Sequence, residues 1–493
     1  MTVRETEPPA EPAAEPAVDP APTSDAAAPG TSARPEDERL PFVRSLGYGL
    51  QHILAMFGGV IAVPLIIGGA AGLTPTQQAV LVSSALLFSG LATLLQTLGV
   101  PFLGAQLPLV QGISFASVST LLTIVTTQGG GETGLRYAYG AVIVAAVVGF
   151  VVAPFFSRIV HLFPPVVTGS VITVIGLSLM PTAAGWIIGN DPTAPGYANP
   201  GDIALAGFTL LVVLVLSKVP VLSRLSILLG LVVGTVAAFV VGKASTDGLS
   251  GVDAVALPHL FDVGAPAFAV GAIVSMVVVM LVIMVETTAD LLAVGEIVGT
   301  KVDSRRLSDG LRADMLSSAV APVVGAFPTT AFAQNVGLVA LSGIKSRFAV
   351  ALGGGVLVLL GLSPWLAAVV GVIPGPVLGG AGIVLFGSVT ASGVRTLSQV
   401  KYRDNLNLVV VATTLGFGLL PVVADGFWSN FPDWFATIFG SGISSAAIMG
   451  VALNLFFNVW RPGEPKQPSV VAAGPPLVLP ERMPTSEEPS AQT

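Results

Sequence analysis

Between residues 43 and 460, long apolar stretches are divided by short polar breaks. A helix needs about 20 apolar residues to cross the hydrocarbon core of a bilayer. The pattern predicts seven segments near 43–69, 78–100, 105–127, 137–157, 165–187, 203–218 and 224–242. A second seven follow near 266–298, 307–326, 329–344, 347–372, 377–394, 405–422 and 434–460. The predicted fold is an all-α polytopic membrane protein of about 14 segments. Segments 105–127 and 329–344 are interrupted by proline, glycine and polar residues, and make poor full spans.

Those two interrupted segments match each other. Gly104-Ala105 and Pro108 precede LVQGISF, as Gly325-Ala326 and Pro328 precede TTAFAQN. Further along, Pro164–Gly169 resembles Pro374–Gly379. The match predicts two repeats, 41–245 and 263–462. Each holds an odd number of crossings, so the second enters the membrane inverted. Inverted repeats with matching broken segments are the mark of a secondary transporter with its site where the breaks meet. The two proline–glycine runs are expected to act as hinges, with close helix packing through small residues as the competing reading.

Charge placement orients the chain. Twelve basic residues fall in alternate breaks, from Arg158 through Lys301, Arg305, Arg306 and Arg347 to Arg403, whereas the other breaks hold only Arg136 and Lys243. Basic loops face the cytoplasm, which predicts both termini inside and the 243–262 loop outside. The formal net charge is −7. Residues 1–40 account for −6 of it and 463–493 for −2, leaving a body of +1 with no basic surface for nucleic acid. Both end segments hold few large apolar side chains and are expected to be disordered cytoplasmic tails. Only 10% of the residues are charged, too few to solvate a soluble protein of 493 residues. With no Cys and 3 His, neither a disulfide nor a Cys/His metal centre is expected. No cofactor motif is found, and no nucleophile–base pair points to an enzyme.

Few polar residues remain inside the apolar segments. Glu286 and Asp290 are four apart and share a helix face; intramembrane carboxylates are costly and normally face a cavity or partner. A structural hydrogen bond is the competing reading. His52 is either a satisfied core histidine or a proton carrier. Gln334 and Asn335 sit at the second break, six and seven residues after Pro328, where Ser114 and Phe115 sit after Pro108. Irregular backbone at membrane depth frees N–H and C=O groups for a polar ligand. Gly337 admits close backbone approach. Phe115 either stacks on a flat ligand or packs in the core.

Together these residues resemble the nucleobase–ascorbate transporters. The family motif, Gln/Glu-Asn-x-Gly followed by Thr and then Arg, Lys or Gly, is similar to Gln334-Asn-Val-Gly337 continuing to Ser342-Gly343, with Ser342 in place of Thr. The likeness runs from Leu46–His52 to about Trp460 and takes in Glu286–Asp290 and Asp314. It implies a seven-plus-seven inverted fold with short strands in segments 3 and 10. Helices 1–4 and 8–11 would form a core domain, and helices 5–7 and 12–14 a gate domain. The resemblance implies substrate binding by Glu286, Gln334, Phe115, Ala333 and Ser114. It also implies coupling or support by Asp290, Asp314, His52 and Asn335. Glutamine at 334 and Gly343 look more like xanthine and urate permeases than uracil carriers. The expected partners are a purine nucleobase, a proton, the plasma-membrane bilayer and a second copy of the chain. Uracil, ascorbate or another nucleobase, or an anion carried by the same fold, are the alternatives.

Overall fold

The computed structural model describes residues 34–189, 192–194, 196–220, 222–246, 260–402, 406–424 and 426–460. Most of the two expected tails and residues 247–259 lie outside the described residues. In the first half the helices are α1 (Phe42–Ala70), α2 (Pro75–Leu98), α3 (Val118–Thr127), α4 (Gly131–Val152), α5 (Phe156–Ile159), α6 (Pro165–Ser178), α7 (Met180–Ile188), α8 (Pro200–Ser217) and α9 (Ser226–Val240), with strand β1 (Gln111–Ile113) between α2 and α3. The second half holds α10 (Val270–Val298), α11 (Ser304–Val320), strand β2 (Thr329–Ala331), α12 (Ala333–Ser342), α13 (Arg347–Gly361), α14 (Pro364–Gly371), α15 (Gly375–Leu397), α16 (Leu406–Val423), α17 (Asp433–Gly440) and α18 (Gly442–Asn454).

Each of the fourteen apolar segments contains helix, yet among the described residues only nine helices are long and apolar enough to cross a bilayer, or ten if the bent pair α13–α14 is one span. The difference has three sources, the first being α9, which at 15 residues is too short to span. Segments 105–127 and 329–344 each divide into a strand and a 10-residue helix. α11 is too polar, carrying Arg305, Arg306, Asp309, Arg312 and Asp314 within 17 residues. In α1 and α2, 72% of the most apolar window is buried inside the protein, against 22% in α8 and in α16. The former lie in the interior, and the latter turn most of their surface outward to where lipid would be.

The breaks follow from local chemistry. Gly104 and Gly325 occupy matching places and both adopt left-handed backbone (φ 91° and 77°), a region closed to most side chains. The chain then bends at Leu107–Pro108, where Leu109 N donates to Leu107 O (2.8 Å), and passes without helix through Pro328; neither proline donates an N–H. β1 and β2 pair antiparallel, with Gln111 opposite Ala331 and Ile113 opposite Thr329. The ladder is extended at both ends, where Ser114 N donates to Pro328 O (2.8 Å) and Phe332 N to Val110 O (3.1 Å).

The proline–glycine runs begin helices. Pro165 and Pro376 lie in the first turns of α6 and α15. A Cβ on Gly169 would come within 2.9 Å of Leu397, and one on Gly379 within 2.8 Å of the Ala183 carbonyl. These glycines serve close packing of α6, α7 and α15, which favours the packing reading over a hinge.

Packed structure starts at Pro35, earlier than the boundary at 40 that composition predicted. Glu36 is fully buried; its carboxylate takes hydrogen bonds from Arg306 Nη2 (2.5 Å) and Thr300 Oγ1 (3.3 Å). Asp37 pairs with Arg347 Nε at 2.6 Å. The two arginines also cap the α2–β1 connection. Arg306 donates to the Ala105 and Gln106 carbonyls, and Arg347 to those of Thr97 and Leu98. Composition treats an acidic stretch as solvated and has no way to see the arginines waiting for it. Breaking a buried pair from one side costs roughly 3–5 kcal/mol. Glu36→Ala should fall near the lower end, about 3 kcal/mol, because Arg306 keeps its carbonyl partners. Thermal unfolding in detergent should show a lower melting temperature, and an unchanged one would mean the pair contributes nothing.

Candidate substrate site

Strands β1 and β2 bring the two interruptions together and aim α12 at the middle of α10. Glu286 and Asp290 lie one turn apart on α10, both half-buried, and neither is bonded to another described side chain. A cavity of about 10 Å³, the size of one water, lies between α10 and α6 and is lined by Glu286, Val282, Phe163 and Thr168. Glu286 therefore faces an internal space and makes no structural hydrogen bond to a described side chain.

Across from it, the first turn of α12 carries Ala333, Gln334 and Asn335. The Gln334 side chain lies outside the described residues. Ala333 and Gly337 are exposed one turn apart, and a Cβ on Gly337 would meet nothing within 4 Å. Glycine here preserves open space beside the helix. The end of the motif has a different task. Gly343 terminates α12 in left-handed backbone, and Ser342 Oγ accepts the Ile344 N–H (3.3 Å). Those two positions stop the helix and are not brought to the site.

Asn335 and His52 meet although 283 residues separate them. Asn335 Nδ2 donates to the His52 carbonyl (2.9 Å) and lies 3.1 Å from His52 Nδ1. An amide NH₂ facing Nδ1 requires that nitrogen to accept, so the ring proton sits on Nε2. A doubly protonated ring would lose this contact. The geometry gives His52 a positioning task, holding α12 to α1.

Phe115 is buried and belongs to an aromatic chain that residue spacing did not reveal. Its ring centroid lies 6.5 Å from Phe332 and 6.1 Å from Phe386, and Phe386 lies 6.2 Å from Trp186. Phe332 covers Gly112 of β1 so closely that a Cβ there would come within 2.3 Å of the ring. Ser114 is buried beside them, and its Oγ has no hydrogen-bond partner. Asp314, 1% exposed, accepts from Thr287 Oγ1 on α10 at 2.5 Å, while its Oδ1 has no partner. Phe332, Phe386 and Thr287 are the residues that sequence reasoning missed. Two of them flank motif residues already singled out, yet side-chain direction was needed to notice them.

Elsewhere hydroxyls join helices. Thr120 Oγ1 lies 2.5 Å from Ser441 Oγ, and Ser275 Oγ lies 2.8 Å from Ser444 Oγ, linking α3, α10 and α18. Such contacts hold apolar helices together where no hydrophobic drive does.

An apolar helical body with two broken segments zipped together beside membrane-depth carboxylates is that of a multi-pass membrane carrier. Solved structures of similar fold include the transmembrane domain of a cyanobacterial bicarbonate transporter, BicA (TM-score 0.56, 14% identity, 85% of this chain and 100% of that one). Another is the murine anion transporter Slc26a9 in an inward-facing state (TM-score 0.59, 14% identity, 86% of this chain and 69% of that one). Residues 44–426 match the Permease family model Xan_ur_permease. The xanthine permease of Bacillus subtilis is 37% identical over 421 residues, covering 85% of this chain and 95% of its own. The uric acid transporter UacT of Escherichia coli is 36% identical over 447 residues, covering 89% and 92%. The uric acid permease PucJ of Bacillus subtilis is 38% identical over 416 residues, covering 83% and 92%. The chain belongs to this permease family, the nucleobase–ascorbate transporters, and is a transporter rather than an enzyme.

Proposed function

We propose that this protein takes up a purine nucleobase, xanthine or uric acid, together with a proton across the plasma membrane. One observation carries the reading: the β1–β2 pair places the amide-bearing first turn of α12 against the α10 helix that holds Glu286. The relatives named above for xanthine and uric acid support the substrate class. In this reading the fourteen segments form two inverted halves, with helices 1–4 and 8–11 as a core that moves against a gate of helices 5–7 and 12–14. The matched left-handed glycines and prolines at the two breaks support the repeat. Both termini face the cytoplasm, as the alternation of basic loops implies. The outward faces of α8 and α16 are covered by lipid and by a second copy of the chain.

A flat base fits this site for a chemical reason. The carboxyl of Glu286 and the amide of Gln334 offer donor and acceptor groups to two edges, and Phe115 and Phe332 offer aromatic surface. Cells expressing the protein should accumulate labelled xanthine or urate, with hypoxanthine, guanine and uracil competing weakly. A protonophore should collapse the accumulation. Uracil as the preferred substrate would sink the purine assignment, and dependence on sodium instead of the pH gradient would sink the proton.

A further inference from the structure

Thr287 follows Glu286 in sequence, but its side chain turns away toward the second break. Its Oγ1 lies 2.5 Å from Asp314 Oδ2, 3.3 Å from Thr330 Oγ1 and 3.4 Å from the Ala331 N–H. All of these residues are buried, Thr287 and Asp314 almost completely. Thr330 and Ala331 belong to β2, next to Phe332 and just before Gln334. One hydroxyl thus touches the buried carboxylate and the strand that shapes the substrate break.

A threonine hydroxyl has one hydrogen and two acceptor sites. When Asp314 is ionised, Thr287 gives its hydrogen to the carboxylate and accepts from Thr330 Oγ1–H and Ala331 N–H. When a proton from water binds Asp314 Oδ2, a new O–H bond forms and donates to Thr287. The Thr287 hydrogen is then free to turn toward Thr330 Oγ1. One acceptor site remains, for Ala331, and the Thr330 hydrogen must leave Thr287. A second observation agrees: Asp314 Oδ1 is buried with no partner, an arrangement poorly suited to a permanent carboxylate.

We propose that Thr287 is a positioning residue that transmits the protonation of Asp314 to β2 by reversing the donor order along Asp314, Thr287 and Thr330. The proposal rests on the transport reading above and deepens it, giving proton binding a route to the substrate break. Other ionisable groups on the packed elements are Glu286, Asp290 and Glu296 on α10 and Arg305, Arg306, Asp309 and Arg312 on α11 itself. α4 adds Glu132, Arg136, Tyr137 and Tyr139, with Glu132 bonded to Gln77, Arg136 to the Ala265 carbonyl and Tyr139 to that of Gly325. Arg158 lies on α5; α2 and β2 carry none.

The test compares Thr287→Val, which keeps shape and loses the hydroxyl, with Thr287→Ser, which keeps the hydroxyl. Affinity of purified protein for labelled xanthine or urate is measured from acid to alkaline pH. Coupling between two ligands is commonly about 5–150-fold. Wild type and Thr287→Ser should fall in that range, whereas Thr287→Val and Thr330→Val should change by less than about threefold across the same pH range. A folded Thr287→Val with the wild-type pH dependence would overturn the proposal, as would equal impairment of the Val and Ser variants, which marks packing alone. If Thr287→Val fails to fold, Thr330→Val decides. The pH dependence of the melting temperature gives the same comparison without ligand. Asp314→Asn should flatten it; Thr287→Val, which leaves Asp314 buried and titratable but without its donor, should steepen it, Thr287→Ser should keep the wild-type profile, and Thr287→Val should add nothing on the Asp314→Asn background. Wild type that binds neither purine refutes the substrate reading, while the melting comparison still judges the relay.

Discussion

Glu286→Gln is expected to abolish concentrative uptake while the protein remains folded in the membrane. Glu286 is half-buried, borders the small cavity between α10 and α6, and makes no hydrogen bond to a described side chain, so the fold does not depend on its charge. Glutamine has nearly the same shape and still donates and accepts, but it cannot gain or lose a proton. Exchange of substrate across the membrane should survive at a reduced rate. Accumulation driven by a pH gradient should fall to background. Transport assays in proteoliposomes with and without an imposed gradient separate the two. Wild-type accumulation by Glu286→Gln would refute the assignment. The neighbouring Asp290 lies on the same helix face.

The second large effect concerns Gln334 and changes which base is accepted. An amide pairs with an adjacent N–H and C=O on a purine dione, whereas a carboxylate only accepts and repels an anionic urate. A site built on hydrogen bonds discriminates strongly when one partner is missing, because its own buried groups go unpaired. Each such loss costs roughly 1–3 kcal/mol, or about 5–150-fold in affinity. Gln334→Glu should lose xanthine and urate uptake, and Gln334→Asn should keep a weak remnant because the amide is drawn back by one methylene. Gln334→Ala with an unchanged Michaelis constant for xanthine would show that residue 334 does not touch the base. That result would remove the main support for a purine and leave the transporter family untouched.

Much of this site could be read along the chain because it depends on local chemistry. Prolines 108 and 328 interrupt apolar runs, and each is followed by polar residues. Glu286 and Asp290 stand four apart in a helix too apolar to hold carboxylates without reason. The expected count of fourteen spans illustrates the limit of such patterns. Hydropathy measures how apolar a segment is, and it does not register that 105–127 and 329–344 each divide into strand and helix. Nor does it register that Asp314 on α11 is buried inside the protein.

What the sequence determined by itself was an apolar helical body, two matched interruptions, the carboxylates at membrane depth and the family motif around Gln334. Each of these is a property of neighbouring residues, since helix period, proline and the cost of burying charge all act within a few positions. Only the tertiary structure decided the partners. It set Gln111 opposite Ala331, tied His52 to Asn335, and placed Phe386 against Phe115. It also drew Glu36 out of an acidic stretch onto Arg306, and brought Asp314, Thr287 and Thr330 to one hydroxyl. Those pairings join residues up to 283 positions apart. They depend on how helices cross and which buried polar groups find each other, and no local pattern along the chain carries that information.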